Sequence, residues 1–242
     1  MIKIFKKKTQ LAEYFATMLI DGIDKLADGK YFSIALSGGS TPRAVFEYLA
    51  ANFKEKIEWE KLLVFWGDER CVPPDDDDSN YKMASENLLN HVPIPKQNIF
   101  RIIGEDNPIK ESNRYGELIK EKVYSRNGNT QFDLILLGLG TDGHTASIFP
   151  DSQHLFASDQ LCAIVEHPVS SQKRITITGK VINHACTVAF LVTGEAKADK
   201  VSAIVEGQNG SEKYPASMVR PITGNLIWIL DESAASKLKT KE

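Results

Sequence analysis

An imidazole beside a carboxylate can move a proton near neutral pH, and Asp142-Gly143-His144 supplies both groups on what reads as a turn. The carboxylate can orient the ring and stabilise its charged form. The other reading is a loop histidine bonded only to its own turn. The stretch Gly138-Leu139-Gly140-Thr141-Asp142-Gly143 also fits G-x-G-x-x-G. A lone match of this kind is weak evidence for a dinucleotide, and Asp142 would sit where a pyrophosphate needs neutral backbone. Of the five histidines, His144 is the candidate for acid–base work. His91, His154, His167 and His184 read as surface or packing residues, with His184 able to approach a crevice.

A second cluster suits an anion. Ser37-Gly38-Gly39-Ser40-Thr41-Pro42 breaks an apolar run and precedes a helical pattern. Gly38 and Gly39 let the backbone approach a ligand, unpaired N–H groups at a helix start favour negative charge, and the Ser40 and Thr41 hydroxyls add donors. A phosphate fits such a pocket, and so does a plain tight turn with a Ser or Thr cap. The lysine of a P-loop is missing, so nucleotide hydrolysis is not indicated.

Asp68-Glu69-Arg70 places two carboxylates and a guanidinium directly after an apolar run. Arg70 can hold an oxyanion and Asp68 can accept sugar hydroxyls. The alternative is a surface ion pair of little energetic weight. Arg174 and Lys197 are further cations able to complete a phosphate pocket; read singly, each is equally a solvent-facing side chain. Asp75 to Asp78 read as a solvated loop leading into a helix near Ser79-Asn80. The run lacks the spacing of a calcium loop, and no HExxH motif occurs, so no metal is expected.

These residues must be carried by elements, and the apolar spacing supplies them. Leu11, Tyr14, Phe15, Met18, Leu19, Ile23 and Leu26 recur at helical intervals, with Thr9 as the expected cap. Tyr31 to Leu36, Leu62 to Trp66, Phe132 to Leu137, Arg174 to Thr178, Thr187 to Thr193 and Leu226 to Leu230 read as strands. Helices are expected after Pro42, through Met83 to Leu89, from Glu111 to Ser125 and from Glu195 to Glu206. Residues 150–172 read as an irregular excursion. Alternating strands and helices predict an α/β fold with an open, mainly parallel sheet flanked by helices, in one domain over residues 1–242. Strand C-terminal ends line the ligand crevice of such sheets. Segments 37–43, 67–72 and 138–147 each follow a strand and are therefore expected to converge.

Composition narrows the partners. The net charge of −3 gives no global attraction to nucleic acid or to an anionic membrane, so an anionic ligand must be held locally. Three widely spaced cysteines contain no C-x-x-C pair and favour a reducing compartment. The basic N-terminus runs into acidic residues rather than a signal-peptide core, and no run of ~18 apolar residues predicts a spanning helix. A cytoplasmic protein, monomeric or weakly homo-oligomeric, is expected.

Taken together, the segments SGGSTP at 37–42, WGDERCVP at 66–73, SNYKMASENLL at 79–89, GLGTDGHTASIFP at 138–150, RITITG at 174–179, TGEAKADKV at 193–201 and YPASMV at 214–219 resemble the glucosamine-6-phosphate isomerase/6-phosphogluconolactonase family. The likeness runs in order over most of the chain, and the segment at 138–150 is its most specific part. On the lactonase side, the resemblance implies a Rossmann-like α/β fold and hydrolysis of 6-phospho-D-glucono-1,5-lactone to 6-phosphogluconate in the oxidative pentose phosphate pathway, without metal or organic cofactor. It implies His144 as the base, Arg70 as the active-site arginine, and a phosphate pocket built from the 37–42 loop with Arg174 and Lys197. Deaminases of the same family typically continue after the histidine as I-A-F-N-E-P, whereas this chain reads Thr145-Ala146-Ser147-Ile148-Phe149-Pro150. Phe149 thus replaces the carboxylate associated with sugar ring opening. Arg70 stands where deaminases commonly carry an aromatic residue. Both differences favour the lactonase over the deaminase, and a non-catalytic phosphosugar-binding regulator is the third reading.

Overall fold

The computed structural model describes residues 1–239. In chain order the elements are β1 (Ile2–Phe5), α1 (Lys8–Ile23), β2 (Phe32–Leu36), α2 (Ser40–Asn52), β3 (Leu62–Trp66), β4 (Asp68–Arg70), α3 (Asn80–Ala84), α4 (Pro108–Lys122), β5 (Ser125–Arg126), β6 (Asn129–Thr130), β7 (Leu134–Leu137), β8 (Cys162–Glu166), β9 (Lys173–Ile177), α5 (Gly179–His184), β10 (Thr187–Val192), α6 (Ala198–Val205) and β11 (Asn225–Asp231).

Six strands form the central sheet in the order β1-β11-β10-β7-β2-β3, and every neighbouring pair is parallel. Parallel strands covered on both faces read as continuous apolar runs rather than alternating ones. Phe32-Ser33-Ile34-Ala35-Leu36 and Leu134-Ile135-Leu136-Leu137 are buried at every position. Helix α1 packs on α2, β1 and β11, while α4 packs on β8 and β9. The sequence passes from β2 to β3 on one side and returns at β7 on the other. The order therefore reverses between β2 and β7, and a crevice opens beyond their C-terminal ends.

The strand after β3 departs from the sequence expectation. Asp68-Glu69-Arg70 is not a loop but β4, the edge of a three-stranded antiparallel sheet ordered β4-β9-β8. Gly67 joins the two sheets: its N–H donates to Leu36 O at 2.8 Å, and its carbonyl accepts from Ile177 N at 2.8 Å. The edge of β3 is closed by Tyr115, whose hydroxyl accepts from Trp66 N at 2.8 Å and donates to Trp66 O at 3.0 Å. Residues 150–172 are likewise not irregular throughout, because Pro150–Ala157 forms 3₁₀ turns and Cys162–Glu166 is β8. Thr9 does not cap α1; it lies inside the helix, Lys7 is the N-cap, and Lys7 N donates to Gln10 Oε1 at 3.1 Å. No helix among the described residues is long and apolar enough to cross a membrane.

Candidate active site

The turn after β7 brings the acid–base pair together. Asp142 Oδ1 accepts from His144 Nδ1 at 2.6 Å and from His144 N at 3.1 Å. The turn is closed by Gly140 N donating to His144 O at 2.8 Å and by Thr145 Oγ1 donating to Gly138 O at 2.9 Å. A Cβ at Gly140 would collide with both His144 Nδ1 and Asp142 Oδ1, so only glycine lets the pair lie this close to the backbone. With Nδ1 donating to Asp142, the neutral ring presents Nε2 as an acceptor. Nε2 has no hydrogen-bond partner among the described residues, and His144 lines the cleft. Burial would raise the Asp142 carboxyl, but the hydrogen bond and charge of His144 outweigh it and lower the group to about 2. Phe149, fully buried, holds the imidazole from one side with ring centroids 4.8 Å apart.

The cleft has a volume of about 280 Å³. Gly38 and Gly39 enter from the loop after β2, Gly138, Gly140 and His144 from the loop after β7, and Asp68, Arg70 and Arg174 from the small sheet. Lys197 and Asn80 complete it. Ser40 and Thr41 line an adjoining hollow with Gly38, Gly39 and Lys197, where Thr41 Oγ1 and Thr193 Oγ1 are 2.7 Å apart. Asp142 belongs to the turn and reaches the cleft through His144. The three segments expected to converge do so.

Arg70 and Arg174 are direct partners across the β4–β9 ladder. Like charges placed opposite each other destabilise a sheet unless something compensates. Burial, and then the positive charge of Arg70, push the Arg174 guanidinium below its ordinary value. The Nε atoms of both arginines are buried without a hydrogen-bond partner among the described residues. The Arg174 guanidinium makes long contacts, Nη1 to Ser147 Oγ at 3.5 Å and Nη2 to Gln172 Oε1 at 3.4 Å, and lies 5.7 Å from the Phe149 ring centre. Burial also lowers the Lys197 amine, partly offset by Asp142. Cations held half-desolvated with unspent donors have the chemistry to hold an anion.

Carboxylates set the frame around them. Asp68 Oδ2 accepts from Ser147 Oγ at 2.5 Å. Glu69 turns the other way and is almost fully buried. It accepts from Arg70 N, Asn80 N and Tyr81 N, each at 2.8 Å, and from Ser79 Oγ at 3.0 Å. Burial raises its carboxyl against those bonds. Glu69 thereby ties the start of α3 to β4 and fixes Asn80, whose Nδ2 donates to Asp68 O at 2.9 Å. A Cβ at Gly38 would collide with the Asn80 amide, so the glycine loop and α3 are fitted to each other.

Asn80 and Ser147 were not singled out by sequence reasoning. Asn80 has a signal in retrospect, since it opens a helix soon after a polar strand. Ser147 follows His144 by three residues but meets Asp68 only through the fold. His167 is also nearer than expected: its ring lies 5.2 Å from that of Phe149. Burial, then the charges of Arg174 and His144, lower its titration. His184 does not approach the crevice; it lines a separate hollow with Gln131 and Arg126, and its Nδ1 is 2.6 Å from Lys180 O. No group of three or more His, Cys, Asp or Glu side chains among the described residues could hold a metal ion.

A parallel α/β sheet with an acid–base pair and an anion-binding cleft at its switch point has the architecture of an enzyme for a small anionic substrate. The model of the glucosamine-6-phosphate isomerases/6-phosphogluconolactonase family matches residues 6–228, and the chain belongs to that family. A 6-phosphogluconolactonase of Haemophilus influenzae is 42% identical over 206 residues, covering 85% of this chain and 87% of that protein. The crystal structure of the devB protein superposes with a TM-score of 0.91 at 38% identity, covering 98% of this chain and 99% of that one. The 6-phosphogluconolactonase of Trypanosoma brucei gives a TM-score of 0.85 at 28% identity, with 97% of each chain covered.

Proposed function

We propose that the chain hydrolyses 6-phospho-D-glucono-1,5-lactone to 6-phospho-D-gluconate in the oxidative pentose phosphate pathway, with water activated by His144. The observation that carries this reading is the Asp142–His144 pair, whose Nε2 has no partner among the described residues and belongs to a cleft lined by Arg70, Arg174 and Lys197. A lactone is an activated cyclic ester, so no covalent enzyme intermediate is needed. Water attacks C1 as its proton passes to His144 Nε2. The carbonyl electrons move onto oxygen, and Arg70 stabilises that oxyanion. The carbonyl then re-forms, the bond from C1 to the ring oxygen breaks, and His144 returns the proton to that oxygen. One water is consumed, and the imidazole ends neutral as it began. Asp142 holds the tautomer and balances the transient imidazolium.

The phosphate is remote from C1 and serves as an anchor. Gly38, Gly39, Ser40 and Thr41 offer backbone and hydroxyl donors, while Arg174 and Lys197 supply charge. Asp68 accepts from a sugar hydroxyl. Phe149 supports the lactonase over the deaminase: it is fully buried against the His144 ring, where a ring-opening carboxylate would be required. One hydrophobic core extends from α1 through the central sheet and supports reading the chain as a single catalytic domain. Its place of work in this reading is the cytoplasm, as a monomer or weak homo-oligomer.

The test follows freshly made lactone by NMR against an enzyme-free control, with ammonia release from glucosamine 6-phosphate measured in parallel. Acceleration of the first with none of the second is expected. Ammonia release without lactone hydrolysis would overturn the reading in favour of a deaminase, and binding without turnover would favour a regulator.

A further inference from the structure

The two cleft arginines are held by a clasp that lies outside the motifs described above. After β4, the chain runs through 71–79, and Arg70 Nη1 donates to Asp78 O at 2.6 Å. The connection from β8 to β9 ends at Gln172, two residues before Arg174. Gln172 Nε2 donates to Asp78 Oδ2 at 2.8 Å, while its Oε1 faces Arg174 Nη2 at 3.4 Å. The contacts run Arg70–Asp78–Gln172–Arg174, and the ladder pairing of Arg70 with Arg174 closes the ring. An amide suits this place because it alone offers an N–H to a carboxylate and an oxygen to a guanidinium from one rigid group. The opposite amide orientation would set oxygen against carboxylate and N–H against guanidinium, so the network fixes it.

The segment presenting Gln172 is itself braced. His167 N donates to Gln172 O at 3.0 Å, and Ser171 N donates to His167 O at 2.9 Å. His167 Nδ1 accepts from Ser170 N at 3.1 Å and Val169 N at 3.3 Å. Ser171 takes φ +54° to complete the turn. Like charges set opposite each other in a ladder repel, so keeping both guanidinium groups in the cleft calls for a restraint.

We infer that Gln172 is a positioning residue, which together with Asp78 holds Arg174 and Arg70 convergent on the anionic substrate before it binds. The inference rests on the lactonase reading for the identity of that anion. Its role is binding rather than bond-making, because holding a ligand's partners in place beforehand lowers the cost of association.

Gln172→Met removes both amide functions at similar volume. Kinetics on the lactone and calorimetric titration with 6-phosphogluconate test it together. KM and the 6-phosphogluconate Kd are expected to rise roughly 3–10-fold, with Tm unchanged and kcat within about twofold, because Arg70 keeps its bond to the Asp78 backbone carbonyl and only Arg174 is loosened. Asp78→Ala should act alike, and the double variant should be little worse than either single one, as coupled residues behave. KM and Kd of Gln172→Met staying at wild-type values would overturn the inference. So would strictly additive losses, or a loss of affinity matched by a loss of Tm. A wild type that binds 6-phosphogluconate without hydrolysing the lactone overturns the functional reading alone, and the calorimetric series then decides the clasp. A wild type that does not bind 6-phosphogluconate overturns both.

Discussion

In the proposed mechanism, His144 acts as a base from the nitrogen that Asp142 leaves free, and the carboxylate's work is to choose the tautomer and to meet the charge that forms. Asp142→Asn keeps the shape and removes the charge. It should lower kcat by ~10²–10⁴ with a smaller change in KM, as read from initial rates. The same pair sets a pH dependence of stability. The folded-state Asp142 carboxyl lies at about 2, below its ordinary 3.8. Between those values the folded chain binds fewer protons than the unfolded one. Asp142 therefore contributes stability that is complete above the ordinary value and is lost as pH falls towards about 2. Tm measured against pH should show a shallower acid limb in Asp142→Asn. An unchanged limb would mean that the hydrogen bond with His144 is weak in solution.

At the scale of elements, the β4–β9 ladder places Arg70 opposite Arg174, an arrangement that costs stability and that the proposed anionic substrate would offset. Arg174→Met keeps the buried stem and removes the charge. It should raise KM by roughly 10–100-fold, change kcat little and leave Tm equal or higher, in the manner of stability given up for function. A fall in Tm at unchanged KM would make Arg174 a structural residue instead. This ladder is also where sequence reading stopped short. Buried parallel strands such as β2, β3 and β7 announce themselves as apolar runs, and their bounds were legible to within two residues. Strand β4 carries Asp-Glu-Arg because its side chains serve the cleft and α3, so it shows no strand pattern. Strand β8 is only five residues long and keeps no clean alternation, because Cys162 and Ala163 are both buried while the apolar Ile164 is exposed. The turn residues of the site were legible because glycine, histidine and aspartate are compressed into a few positions. Asn80, Ser147 and Gln172 were not, since each gains its place from a partner that only the tertiary fold supplies.

Over the whole molecule, a net negative chain gathers Arg70, Arg174 and Lys197 at one sheet edge. A cationic cleft in an otherwise acidic protein concentrates anions locally. The phosphate is expected to supply binding energy that positions C1. Unphosphorylated glucono-1,5-lactone should therefore lose kcat/KM by at least tenfold, and added inorganic phosphate should compete with the phosphorylated lactone. Equal rates on both lactones would remove the anchor from the account. The central claim is that this cleft hydrolyses the lactone through His144, and its most direct measurement compares wild type with His144→Ala by NMR on fresh 6-phosphogluconolactone, each confirmed folded by its Tm. The prediction is rapid hydrolysis by wild type and a loss of ~10²–10⁴ in kcat for the variant, with 6-phosphogluconate still bound. Full turnover by a folded His144→Ala enzyme would contradict it.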